Sequence, residues 1–243
     1  KTGIYDKVDI FEDEEVLTAF DWLIDLIERY RIERFGDIVG YVYEELIPAE
    51  ERHELGQFYT PKPIAELIVK WTVRSSDDKV LDPGCGSGTF LVEAYRRLAE
   101  LKLKRSPRDV KYVEPDVHRQ ILDQLVGIDI NEFPAHLTAV NLAMRNPRVP
   151  SSNVKVIVED FFRIKPGQTR HTPYKAKTVR GDESVEIVLK DFDAVVGNPP
   201  YTRWIEIPDK TLDLIEEMYG SLLEKYGILK KSITGGAKPG IYI

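Results

Sequence analysis

Val80-Leu81-Asp82-Pro83-Gly84-Cys85-Gly86-Ser87-Gly88-Thr89-Phe90 reads as a strand ending in a carboxylate, a turn with glycine at every second position, and the start of a helix running to about Leu101. Glycines let a backbone pass close to a ligand, and the N–H groups of a helix start face it, as in nucleotide-binding turns. Two common forms of that turn are excluded. A dinucleotide fingerprint wants glycine where Thr89 stands, and a phosphate-binding loop wants Gly-Lys-Ser/Thr. Asp82 at the strand end repels a diphosphate but welcomes an amine or a ribose hydroxyl. The turn therefore favours a nucleoside bearing a cationic amino acid over a nucleotide.

Downstream, the pattern repeats. Leu125-Val126-Gly127-Ile128-Asp129-Ile130 is a second strand ending in an acid, followed by a helix over about Phe133–Met144. Asp129 can accept two hydrogen bonds from a ribose diol, and Ile130 offers an apolar wall. The third strand, Val154–Val158, ends in Glu159-Asp160-Phe161-Phe162. There Asp160 can accept an adenine amino group while Phe161 lies on the ring face. Hairpin character follows, Tyr174–Arg180 and Ser184–Lys190 around Arg180-Gly181-Asp182.

Ala194-Val195-Val196 then reads as a short buried parallel strand, stopped by Gly197-Asn198-Pro199-Pro200-Tyr201. Pro199 and Pro200 have fixed φ and no N–H, which keeps their carbonyls out of an ordinary ladder, and the Asn198 amide offers an acceptor oxygen. Tyr201 adds an aromatic face. A planar heterocycle with an exocyclic NH2 fits: the ring stacks on Tyr201, and the amino hydrogens go to Asn198 and to the Pro199 carbonyl. In an open parallel α/β sheet, ligands bind beyond the carboxyl ends of the strands, so Asp82, Asp129, Asp160 and Asn198 converge on one cleft. After Tyr201, Asp209–Tyr226 reads as a helix.

Upstream, Gly56-Gln57-Phe58-Tyr59-Thr60-Pro61 precedes a helix over about Pro63–Val73, and Pro61 holds Thr60 extended. Val16, Phe20, Leu23, Ile24 and Ile27 have amphipathic spacing over residues 13–30, and a second helix is expected over Asp37–Leu46. The expected division is a helical segment over 1–55 and a catalytic domain over 56–243. Residues 1–60 hold 6 Lys and Arg against 16 Asp and Glu, whereas residues 61–243 hold 28 against 25. That is no strong nucleic-acid footprint. Residues 102–120, with Lys102, Lys104, Arg105, Arg108 and Lys111, read as a basic, proline-punctuated connection.

The chain carries one cysteine, Cys85, and four scattered histidines, so neither a disulfide framework nor a metal site is expected. A reducing, cytoplasmic setting and no membrane span are the corresponding expectations.

Gln57-Phe58-Tyr59-Thr60-Pro61, Asp82–Phe90, Gly127-Ile128-Asp129, Asp160-Phe161 and Asn198-Pro199-Pro200-Tyr201, in that order, resemble the amino-methyltransferases of restriction-modification systems. These are S-adenosylmethionine-dependent DNA adenine-N6 enzymes whose cofactor motifs precede the catalytic motif, including type I and single-chain type II members. The resemblance spans about residues 36–204. It implies a doubly wound, Rossmann-like α/β sheet, S-adenosyl-L-methionine as cofactor and double-stranded DNA as partner, with room for a specificity or nuclease subunit or domain. It assigns Tyr59, Thr60, Gly84, Gly86 and Gly88 to the methionine end of the cofactor site, with Asp82 near the amino group. Asp129 goes to the ribose; Ile130, Asp160 and Phe161 go to the cofactor adenine. Asn198, Pro199, Pro200 and Tyr201 form the catalytic motif around a flipped adenine.

The family continues with further strands and a recognition domain after that motif, yet only 42 residues follow Tyr201. A fragment of a longer enzyme, with an incomplete sheet, is therefore expected. Cytosine N4, an RNA base and a protein glutamine amide present the same planar NH2 and stay open as substrates. So do a non-catalytic modification subunit and, more remotely, a nicotinamide-dependent dehydrogenase.

Overall fold

The structure, a computed structural model, describes residues 60–105, 113–149, 153–178, 181–199 and 209–225. The expected leader helices, Tyr59, Pro200 and Tyr201 lie outside the described residues.

Helix α1, Lys62–Thr72, starts behind Pro61 with a second proline in its first turn, and buries Ala65 and Val69. Strand β1, Val80–Asp82, leads through the glycine turn into α2, Thr89–Leu103. Helix α3, Pro115–Gln124, runs straight into β2, Leu125–Asp129. Then come α4, Glu132–Ala143, and β3, Lys155–Val158. After one 3-10 turn, Phe161–Arg163, the strands β4, Thr169–Thr178, and β5, Gly181–Val188, pair antiparallel. Strand β6, Ala194–Val195, and helix α5, Asp209–Lys225, complete the described elements.

Four strands form a parallel sheet in the order β3-β2-β1-β6, and β4-β5 form a sheet of their own. Val80 and Leu81 pair with Leu125 and Val126 on one side and with Ala194 and Val195 on the other. The chain steps outward from β1 to β3, then returns to the far side of β1. Right-handed crossovers place the two journeys on opposite faces. The outward journey supplies α2, α3 and α4, whose Leu91, Leu98, Ile121, Leu122 and Leu142 share a core with Val80, Leu125 and Val156. Each such leucine, fully buried, contributes roughly 1.5–3 kcal/mol. The return journey carries Ile164, Ile187 and Leu189, which pack with Leu81, Val126, Ile128 and Ile157 on the other face. Among the described residues that second face is met by Ile164 after the 3-10 turn, Ile187 of β5 and Leu189 just beyond it.

The structure corrects three expectations. Residues 115–120, read as the end of a connection over 102–120, belong to helix α3. Pro115 opens it, and His118, Ile121 and Leu122 are buried, a face of only three residues among charged neighbours. The hairpin strands begin earlier than expected, and Gly181 pairs with Thr178, so Gly181 and Asp182 belong to a strand and not to the turn. Finally, β6 is buried on one face only: Ala194 and Val196 enter the helix-side core, while Val195, on the opposite face, is 59% exposed. Ile164, Ile187 and Leu189 stack over β1 to β3 and stop short of it. No helix among the described residues is long and apolar enough to cross a membrane.

Candidate active site

Asp82 closes β1 and is buried. Its Oδ1 accepts the Gly84 N–H at 3.2 Å, and its Oδ2 is buried with no hydrogen-bond partner. Burial pushes this carboxyl up to about 7; the Gly84 N–H works against the rise, and the charge of Asp129 adds to it. Asp129, at the end of β2, accepts the Gly86 N–H on Oδ2 at 2.9 Å and the Asn131 N–H on Oδ1 at 2.8 Å. Burial raises Asp129 too, against the pull of those two N–H groups. A carboxylate has about four acceptor positions, so each Asp129 oxygen keeps capacity for a hydroxyl.

Between the two acids runs the glycine turn. Cys85 N–H donates to the Ile128 carbonyl at 2.9 Å and Gly88 N–H to the Cys85 carbonyl at 2.8 Å, which binds the turn to β2 and closes it on itself. The turn has a packed side and an open side. At Gly88, where φ is +94°, an added Cβ would lie 2.9 Å from Thr138 Oγ1, whereas a Cβ at Gly84 or Gly86 meets nothing within 4 Å. The Cys85 thiol is buried, and its pKa is pushed up by that burial and by Asp82 and Asp129.

Two residues of α4 that the motif reading passed over hold the packed side. Thr138 Oγ1 donates to the Gly86 carbonyl and Asn141 Nδ2 to the Ser87 carbonyl, each at 2.7 Å. The available signal was two polar residues three apart on a face that otherwise buries Ala135, Leu137 and Leu142.

The end of β3 lies beside that of β2, since Glu159 N–H donates to the Asp129 carbonyl at 3.0 Å. Asp160 caps the 3-10 turn, its Oδ1 accepting the Phe162 N–H at 3.0 Å. Phe161 packs edge-on to Phe162, with ring centroids 6.3 Å apart, and Phe162 edge-on to Tyr219 of α5 at 6.1 Å. Ile130, 65% exposed, and Phe161, 37% exposed, leave apolar surface just beyond β2 and β3.

On the other flank of β1, Val196 N–H donates to the Leu81 carbonyl at 2.9 Å. A Cβ at Gly197 would lie 2.8 Å from Asp82 Oδ1. Asn198 and Pro199, both half-buried, therefore leave the sheet right beside the buried acid. Thr60 is buried just ahead of α1, and α1 packs on α2, the helix that the glycine turn begins. Asp82, Gly84, Gly86, Gly88 and Asp129 thus form one connected cluster, Asn198 and Pro199 adjoin it, and Asp160 and Phe161 follow the neighbouring strand.

The family model described as N-6 DNA Methylase matches residues 34–227, a span that includes the glycine turn and Asn198. The type I restriction enzyme MpnII methylase subunit of Mycoplasma pneumoniae is 26% identical over 212 residues, covering 84% of this chain and 32% of that protein. The type I restriction enzyme MjaVII methylase subunit of Methanocaldococcus jannaschii is 31% identical over 167 residues, covering 68% of this chain and 22% of that protein. A solved modification subunit of a putative type I restriction enzyme from Vibrio vulnificus YJ016 is 17% identical with a TM-score of 0.41, over 78% of this chain and 36% of that one. The chain spans about a third or less of the length of these curated relatives. With most of its residues matched, a parallel α/β sheet and a glycine turn between paired acids, the chain belongs to the N-6 DNA methylase family.

Proposed function

We propose that the protein transfers a methyl group from S-adenosyl-L-methionine to N6 of an adenine extruded from double-stranded DNA, within a restriction-modification system. One observation carries the reading: Gly197 stands so close to the Asp82 carboxylate that Asn198 emerges beside the glycine turn. Amide and turn flank the point where the strand order reverses, between β1 and β6, which is where ligands of open α/β sheets bind.

The donor set fits this cofactor on two counts. Asp82 Oδ2 is a buried carboxylate oxygen without a partner, suited to an ammonium group, and the turn has open space at Gly84 and Gly86. When bound, the cofactor supplies an electrophilic methyl on a sulfonium sulfur. In this reading Tyr59, Thr60 and the turn from Gly84 to Gly88 hold the methionine end, with Asp82 as counter-charge. Asp129 accepts the ribose hydroxyls. Ile130 and Phe161 flank the cofactor adenine, and Asp160 accepts its amino group.

The target adenine meets Asn198 and its neighbours. The side-chain oxygen of Asn198 and the Pro199 carbonyl accept the two N6 hydrogens. That draws the nitrogen towards tetrahedral geometry and localises its lone pair for in-line attack. Pro200 stiffens the turn, and Tyr201 stacks on the base, offsetting the few kcal/mol of unstacking. No general base is required to start the attack: the N–C bond would form as the methyl–sulfur bond breaks, the sulfur would leave as a neutral thioether, and the surplus N6 proton would pass to solvent.

The test is incubation with duplex DNA and S-adenosylmethionine labelled in the methyl group, followed by digestion to nucleosides. Label in N6-methyl-2′-deoxyadenosine is the expected result. Label in N4-methyl-2′-deoxycytidine, or label in RNA or protein but not in DNA when those are offered in parallel incubations, rejects the adenine assignment.

A further inference from the structure

We infer that Thr138 and Asn141 of α4 are a positioning pair that fixes the shape of the glycine turn and thereby sets the affinity for S-adenosylmethionine. This role rests on the methyl-transfer reading above.

The need for such a pair follows from the turn's composition. Gly86 and Gly88 sit at φ of +51° and +94°, a region that glycine enters and leaves at little cost. A turn built from alternating glycines is therefore soft, and ordering it on binding lowers affinity. Outside anchors remove that cost in advance.

The anchors are on α4. Thr138, fully buried, donates to the Gly86 carbonyl at 2.7 Å, and Asn141, also buried, donates to the next carbonyl, that of Ser87, at 2.7 Å. In a planar trans peptide the N–H points away from the C=O, so fixing the Gly86 carbonyl on α4 turns the Ser87 N–H to the other side. Asp129 meanwhile holds the Gly86 N–H at 2.9 Å from β2. The turn is thus gripped from a helix and a strand at once. Thr138 also forms the wall against which Gly88 packs.

Packing alone does not explain these residue types. A buried polar group is a cost unless it is bonded, and the face around the pair is otherwise built of Pro134, Ala135, Leu137 and Leu142. Asn141 Oδ1 is buried without a hydrogen bond, so the amide is kept there for its donor side.

The test uses the protein with Thr138→Val, Asn141→Leu and Thr138→Ser. Calorimetry with S-adenosylmethionine gives Kd, steady-state transfer gives cofactor KM and kcat, and urea unfolding gives stability. Thr138→Val and Asn141→Leu should each raise Kd and cofactor KM roughly tenfold, the equivalent of one hydrogen bond, with kcat at saturating cofactor unchanged. Thr138→Ser should restore affinity.

A fall in urea midpoint with unchanged Kd would show a merely structural role and overturn the inference. Equal weakening by Thr138→Ser and Thr138→Val would overturn it too, because the hydroxyl would not be the cause. If Asn141→Leu does not fold, the Thr138 pair of variants decides. Wild-type protein that binds no S-adenosylmethionine overturns the methyl-transfer reading itself. Wild-type binding with unaffected variants overturns only the positioning role.

Discussion

Gly197 lies against Asp82 with no room for a methyl group, since an added Cβ would sit 2.8 Å from Oδ1. Gly84 N–H holds that same oxygen at 3.2 Å, so the carboxylate has little freedom to retreat. Gly197→Ala should therefore cost about 1–3 kcal/mol of stability and weaken methyl transfer. Gly84→Ala meets no atom within 4 Å, so it should leave the urea midpoint in place while cofactor affinity drops. Equal destabilisation by both substitutions would contradict the open and packed sides described here.

Asp82 gives a pH signature. Its folded-state pKa of about 7 lies above the 3.8 of an unperturbed carboxyl, burial being the first cause. Protonated Asp82 suits the fold, so its contribution is full below about pH 4, fades as pH rises through 7, and stays lost above that. Asp82→Asn should therefore gain stability relative to wild type progressively between about pH 4 and pH 7, on the order of a few kcal/mol, in the absence of cofactor. The same variant should bind S-adenosylmethionine weakly. Stability curves that run parallel across this range would contradict the buried charge.

Asn198→Ala separates binding from chemistry. Removal of the amide acceptor should lower kcat on the order of 100-fold to 1,000-fold, as loss of a single oriented hydrogen-bonding group does in other active sites. Calorimetry should show cofactor affinity nearly unchanged. Loss of cofactor binding as well would make Asn198 structural.

The α2–α3 interface carries a second titration. Tyr95 Oη and His118 Nδ1 are 2.7 Å apart, and burial, helped by Arg119, lowers His118 from 6.5 to about 4. Neutral histidine suits the fold, so this contribution is complete above about pH 6.5 and is lost as pH falls towards 4. Tyr95→Phe should cost about 1–3 kcal/mol at neutral pH. The double variant Tyr95→Phe/His118→Leu should unfold less steeply with acid, as circular dichroism along a pH titration would record.

How much of this was readable in the chain depends on how local each signal is. Helix α4 was expected over 133–144 and is Glu132–Ala143; α5 was expected over 209–226 and is Asp209–Lys225. Both have long apolar patterns. Helix α3 shows only one buried turn of pattern, so its neighbours' charges hid it. The acids at strand ends were legible because the strand and the polar residue are adjacent in sequence. Thr138 and Asn141 were not, because their partners lie 52 and 54 residues away and no local pattern marks the contact. The exposure of Val195 has no local signal for a similar reason, since what covers a strand's second face depends on residues far along the chain.

The return of the chain to the far side of β1 has a kinetic consequence. Strand β6 is fastened there by Lys79 N–H donating to Asp193 Oδ2 at 2.8 Å, across 114 residues. Strands β1 to β3 are joined by shorter excursions, and closing a long loop is entropically slower than closing a short one. Contact-order reasoning therefore makes β6 the late arrival in folding. Asn198 rides on its end, so under the proposed function methyl transfer should appear only in the slowest refolding phase, after Asp82, the glycine turn and Asp129 are already assembled.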